Sequence, residues 1–299
     1  MIARVLLLIL LALPGPLQYA LAAQGQPESE QTRLFAAAVS NGNLEMMRVY
    51  LSQGADINCR CINYTRDTPL IAAVSRAAFT GNTQVFDYLI RHGADINKSN
   101  AEGVTPLMAA ARMEGNAVYT ESASYLMENL VQDGANLNAI DSNGDSALHY
   151  LMASYGGGGL GNEEWRQEFL EVIKYLVSHG ANINAQNKKG RTPLMMASRA
   201  CLPDEVSLLL TLGADPAIKT RLGDTALSIA GEAAAQSPQG SPCNQTFEIL
   251  SHPQNAQSPL GFFAVAPRQS PGMPPNPVTG ILNAVGGIVH AITGQGPQQ

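Results

Sequence analysis

The chain has 299 residues and a mass of 31.6 kDa, with 18 basic against 24 acidic side chains and a formal charge of -6. An acidic balance of that kind argues against non-specific nucleic-acid binding, which needs a basic face. Loss of the first 22 residues, with Arg4, would leave 17 basic against 24 acidic residues and a charge of -7.

Residues 1–22 read as a secretory signal: Arg4 in a short n-region, the apolar run Val5 to Leu13, a Pro-Gly-Pro break and Ala20-Leu21-Ala22 as a small-x-small cleavage site. The apolar run is about half of what spans a bilayer, and Pro14 and Pro16 interrupt it, which disfavours a membrane anchor. The mature chain is expected to start at Ala23, with 23–30 a short linker. Export to a bacterial periplasm is the expected destination, with secretion as the alternative. Formal glycosylation sequons at Asn63, Asn97 and Asn244 keep a eukaryotic secretory route open.

From residue 31 to 253 the chain repeats itself. Gly-Ala followed by Asp or Asn occurs at Gly54, Gly93, Gly134, Gly180 and Gly213, each time followed by a phrase opening at Thr68, Thr105, Ser146, Thr192 or Thr225. The spacing from glycine to phrase is 14 residues once and then 12 four times; from phrase to closing glycine it is 21, 25, 29, 34 and 21. All the length variation therefore sits inside the units. Thr68-Pro69-Leu70, Thr105-Pro106-Leu107 and Thr192-Pro193-Leu194 are helix starts, with a hydroxyl as N-cap and proline at the first helical position. A thin Ala-rich helix follows, then a turn, then a second apolar helix ended by the glycine in a left-handed conformation. Two such helices cannot bury their apolar faces alone, so the units must stack into an all-α solenoid.

The units are read as 31–66, 67–103, 104–144, 145–190, 191–223 and 224–253. In the first, Arg33-Leu34-Phe35 replaces the usual helix start and is expected to give a terminal unit its polar outer side. Units two, three and four carry 4, 8 and 13 more residues than unit five between helix start and closing glycine. In unit two this predicts one extra helical turn shared by the pair. In unit four, Gly156 to Gly159 with Gly161 predicts a loop. Gly156, Gly158 and Gly161 formally match a dinucleotide fingerprint, but a repeat helix stands where that motif needs a strand. Beyond Pro253 a Pro/Gln-rich composition predicts a disordered tail, 254–299, with an apolar segment at 280–292 too short to span a membrane but able to dock on a partner, lie on a membrane surface or pack back on the solenoid, and otherwise a transient helix.

The wording "GADIN", "GANIN" and "RTPLMMAS" and the 33-residue interval from Thr192 to Thr225 resemble the ankyrin repeat, a family whose unit opens on Thr-Pro-Leu-His-x-Ala. The resemblance covers about 31 to 253, although Ser146-Ala147 and Thr225-Ala226 lack the proline and only His149 keeps the histidine. Thr68, Pro69, Gly93, Thr105, Pro106, Gly134, Gly180, Thr192, Pro193 and Gly213 match the defining positions. The resemblance implies a non-enzymatic protein-binding module whose partner meets a concave face built from connectors and first helices. The charged connector tips include Lys98, Asp141, Lys188, Lys189, Arg191, Lys219 and Arg221, with bases gathered toward the C-terminal half, where an acidic partner surface would be steered. Met108 and Met195, with Ile71, Tyr150 and Met152, fall on or near the row a partner would meet, and are alternatively core. Alignment to the repeat also places Cys201 and Cys243 in neighbouring inter-helix turns, a pairing an exported chain could oxidise. Cys59 and Cys61 lie in the one longer connector, either bridged in a tight ring or as free thiols.

No nucleophile, base or metal cluster stands at catalytic spacing, and no cofactor motif or small-molecule site is legible. Glu163, Glu164 and Trp165 read as the start of a second helix, and His92 and His179 as caps at helix C-termini. The expectation is a binding protein, in its more specific form a periplasmic protective or immunity-type protein; the alternative is a secreted, host-directed protein whose tail docks on a membrane or partner.

Overall fold

The computed structural model describes residues 29–112, 120–155 and 163–252, with no side-chain account of 120–122, 154–155 and 163–165. The signal-like leader, the glycine cluster at 156–162 and the tail lie outside the described residues. Those described form helix pairs in chain order: α1 (Glu30–Asn41) and α2 (Leu44–Ser52), α3 (Pro69–Thr80) and α4 (Gln84–Arg91), α5 (Pro106–Ala111) and α6 (Thr120–Gln132), α7 (Ala147–Tyr155) and α8 (Glu163–Ser178), α9 (Pro193–Arg199) and α10 (Pro203–Thr211), α11 (Ala226–Ala235) and α12 (Pro242–Ser251). No strand forms among them; Ile62 and Asp67 make one isolated bridge.

The helix starts follow from the threonines. Thr68, Thr105 and Thr192 are extended N-caps whose hydroxyls accept from the amides of Ile71, Met108 and Met195, each with proline at the first helical position. Thr225 caps α11 in the same way without a proline. The first unit departs from expectation: α1 begins at Glu30, three residues before Arg33, because Ser29 accepts from the amide of Thr32. Its outer surface is also less polar than a terminal unit calls for, since Leu34, Met46 and Val49 are exposed beside Arg33, Glu45 and Arg48.

Stacking runs through the first helices, α1 on α3, α3 on α5, α5 on α7, α7 on α9 and α9 on α11, with α6 packed on α8 and α10 on α12 in the second layer. Small side chains permit the close approach: all six residues of α5 are buried, among them Ala109, Ala110 and Ala111. Phe35, Phe86 and Phe169, each 1% exposed or less, fill the space between layers. The extra residues of unit two all enter α3, which has 12 residues against 7 in α9, whereas α4 has 8 against 9 in α10. The added turn is therefore not shared. In unit four, α8 takes up part of the insertion with 16 residues, and Glu163 opens it as expected.

The connectors are tied to one another by side chains that the repeat supplies at fixed positions. Asn58, Asn97, Asn138 and Asn184 each accept, through Oδ1, the amide of a residue in the next connector: Asp95, Asn136, Asn182 and Asp215, at 2.7 to 2.9 Å. Asn97 and Asn138 also donate Nδ2 to the carbonyls of Gly134 and Gly180. The sequon asparagine Asn97 is thus committed to this ladder. Removing one rung leaves two neighbouring connector groups without their protein partner, so Asn138→Ala is expected to cost about 1 kcal/mol, read from the urea unfolding curve.

Candidate functional site

Each of the four connectors after the first turns on one residue placed five before the helix-opening threonine or serine. Asn100 accepts the amides of Glu102 and Val104, Asp141 those of Asn143 and Asp145, Asn187 those of Lys189 and Arg191, and Thr220 those of Leu222 and Asp224. A positive-φ glycine follows each: Gly103, Gly144, Gly190 and Gly223. Between connectors, Ser142 N–H donates to Glu102 O, Lys188 N–H to Asn143 O and Arg221 N–H to Lys189 O. The tips are therefore held as a row at fixed spacing rather than as independent loops.

This construction decides which of the sequence-predicted contact residues are free. Asp141 is 6% exposed and spends both oxygens internally, Oδ2 accepting from the Tyr150 hydroxyl at 2.9 Å, so its reading as a partner contact is corrected. Met108 and Met195 are each 1% exposed, and Ile71 and Met152 are buried with them. The alternative reading of these residues as core holds, because the first helices are packed on both sides by their neighbours. Tyr150 is half-buried, its ring 5.4 Å from the Arg112 guanidinium, and burial with the Asp141 hydrogen bond pushes its hydroxyl pKa up.

The basic tips behave differently. Lys188, Lys189, Arg191 and Arg221 come together with Arg199 of α9 and Ile229 of α11 around a cavity of about 580 Å³ between units five and six. Met195 forms its floor, and Lys98 and Lys219 do not line it. Five cations face two carboxylates, Asp224 and Glu232, in this groove. None of the five makes an ion pair with a described residue. Leu222 at the connector tip is 91% exposed.

Arg199 and Leu222 were missed by sequence reasoning. Arg199 ends a helix rather than sitting at a tip. Leu222 did carry a signal, since it occupies the tip position held by Glu102, Asn143 and Lys189 in earlier connectors.

Histidines are structural in this frame. His149 is fully buried; Nδ1 meets Ser146 Oγ at 2.9 Å and Nε2 meets the Arg191 carbonyl at 2.9 Å, joining unit four to unit five. Burial pushes its pKa down, opposed by the Arg191 hydrogen bond. His92 and His179 each place Nδ1 2.7 Å from the carbonyl four residues back, on Tyr88 and Tyr175. Among the described residues no group of three His, Cys, Asp or Glu side chains is arranged for a metal ion, and no helix is long and apolar enough to cross a membrane.

Two carboxylates in the second-helix layer are outside the groove. Burial drives Glu205 of α10 up to about 7, with Asp204 adding to the shift and Arg166 opposing it. Its Oε1 has no hydrogen-bond partner among the described residues. Glu128 of α6 is likewise raised to about 7 by burial, then by Glu168 of α8. A raised folded-state pKa gives stability that is whole below pH 4.5 and lost as pH rises through 7. His149 has the opposite sign, losing stability as pH falls below 6.5. Glu205→Gln should therefore gain about 3 kcal/mol over the parent at pH 8 and nothing at pH 4, by thermal or urea unfolding at both values. Equal differences at the two pH values would refute the assignment.

The structure also brings the cysteines close in twos. Cys201, one residue past the α9 cap, faces Cys243 in the first turn of α12, with Cα atoms 4.4 Å apart; Cys59 faces Cys61 with Cα atoms 5.4 Å apart.

Comparison with known proteins agrees with the geometry. Models of ankyrin repeats match residues 10–98, 34–139 and 75–157 in several copies, a further ankyrin-repeat model matches 176–230, and a single-repeat model matches 143–188. Human neurogenic locus notch homolog protein 1 is 34% identical over 131 residues, which is 44% of this chain and 4% of that protein. An ankyrin repeat protein of Acanthamoeba polyphaga mimivirus is 26% identical over 178 residues, 57% of this chain and 30% of that one. The chain spans only a small part of the length of either relative. With matches running through residues 10–230 and helix pairs stacked on threonine-capped starts, the chain belongs to the ankyrin repeat family, an all-α protein-interaction fold.

Proposed function

We propose that this chain is a non-enzymatic binding protein that holds a partner protein on the face formed by its connector tips and first helices, centred on units five and six. The carrying observation is the groove itself: cations without ion-pair partners among the described residues around an exposed leucine, on a row of tips that hydrogen bonds hold in place. Preorganised tips lose little conformational entropy on binding.

The reading extends to an exported protein, periplasmic by preference, of a protective or immunity type. Its support is the leader-like segment 1–22 and cysteines placed to pair, a combination suited to an oxidising compartment. A secreted, host-directed protein is the second reading, favoured by the apolar segment 280–292. Affinity capture with residues 23–299 and with 23–253, followed by mass spectrometry, tests the assignment. The same partner should be retained by both chains and lost on Arg191→Glu with Arg221→Glu. A partner retained only by the longer chain would move binding to the tail. Cell fractionation, with N-terminal sequencing for cleavage before Ala23, tests export; full retention of the leader in the cytoplasm would remove it.

A further inference from the structure

We propose that the groove between units five and six takes an acidic peptide segment bearing an aliphatic side chain, its carboxylates meeting Lys188, Arg199 and Arg221 and its apolar group covering Leu222 and Ile229. This rests on the groove being a protein-binding site and names the chemistry of what enters it. Three observations carry it.

The first is charge. A chain with a net charge of -6 concentrates five of its 18 basic residues around one cavity holding two carboxylates. Guanidinium groups offer planar forks matched to carboxylates, and here they stand without ion-pair partners among the described residues. The second is size. About 580 Å³ accommodates a few side chains rather than a domain surface. The third is the apolar element: Leu222, 91% exposed, stands next to half-buried Ile229, so an entering chain gains by covering them.

Phosphate-bearing polymers fit less well, because the lining holds no aromatic residue on which a base could stack. This chain's own tail is a poor occupant too, since residues 254–299 contain neither Asp nor Glu.

The test pans a random peptide display library on the full chain and measures synthetic copies of the selected peptides by fluorescence anisotropy. Selected sequences should be rich in Asp and Glu with an interspersed Leu or Ile. They should bind about tenfold more weakly to the Arg199→Glu/Arg221→Glu variant, weaken with salt, and weaken again on Leu222→Ser. All three positions are exposed, and circular dichroism and the urea midpoint confirm that the variants stay folded. Neutral or basic peptides that still lose affinity on these substitutions would overturn the acidic partner while leaving the groove as a peptide site. Peptides indifferent to the substitutions, or no enrichment, would remove the groove reading as well. A DNA oligonucleotide or anionic lipid vesicle bound as tightly as the peptides, and lost on the same substitutions, would reassign the site to phosphate groups.

Discussion

Reduction of Cys201–Cys243, or the Cys201→Ser/Cys243→Ser variant, is expected to lower stability by about 4 kcal/mol on the chain-entropy model. The two residues are separated by 42 positions, so a covalent link between them removes a large closed-loop entropy from the unfolded chain. Its placement also matters. The pair α11 and α12 is covered by another unit on one side only among the described residues, and terminal repeats of a stack fray first. A bond from the end of α9 to the first turn of α12 would tie that last pair to unit five. Cys59 and Cys61 close a loop of two positions and restrict the unfolded chain far less, so Cys59→Ser/Cys61→Ser serves as control. The readouts are non-reducing peptide mapping for the link and urea unfolding, with and without reductant, for its effect. Loss of both pairs with equal cost would sink the argument, and a 201–243 link absent from the chain purified without reductant would sink the pairing.

The second large effect belongs to glycines that the stack crowds. An alanine at position 144 would place its Cβ 2.8 Å from the backbone nitrogen of Lys188, and one at position 190 would meet the nitrogen of Arg221 at 2.8 Å. Both glycines also have φ near +75 to +79. Gly144→Ala should therefore cost about 3 kcal/mol, of which roughly 1 to 2 is the left-handed backbone and the rest the inter-connector hydrogen bond forced open. Gly223 has φ +92 but nothing within 4 Å, and no further connector follows it among the described residues. Gly223→Ala should lose only the conformational part, about 1 kcal/mol. Comparing the two in urea separates crowding from backbone strain. Equal losses would mean that the connectors are not in the contact described.

The glycine comparison also marks how far the sequence reaches. Gly54, Gly93, Gly134, Gly180 and Gly213 end the helix pairs with φ between 81 and 100, a role legible from position alone because a helix must stop there. Gly144, Gly190 and Gly223 look alike in sequence, yet the first two are crowded by the next connector and the third is open, a difference set by which unit comes next. The same holds for charges. Asp141 and Lys188 read equally as connector-tip contacts, but Asp141 is the turn-forming residue of its connector and Lys188 is one step beyond that position in the next. Side chains that close a turn are consumed by it; those one position later are left to solvent.

Sequence by itself determined the repeated unit, the threonine-capped starts, the glycine stops and the all-α stack, because each depends on backbone preferences that act over a few residues. It did not determine that unit two spends its extra residues in α3 alone, that Met108 and Met195 face inward, or that Arg199 and Leu222 join the basic tips of the fourth and fifth connectors around one groove. Those outcomes depend on which neighbour covers each face, a long-range property that local propensity does not encode and that only the packed structure supplies.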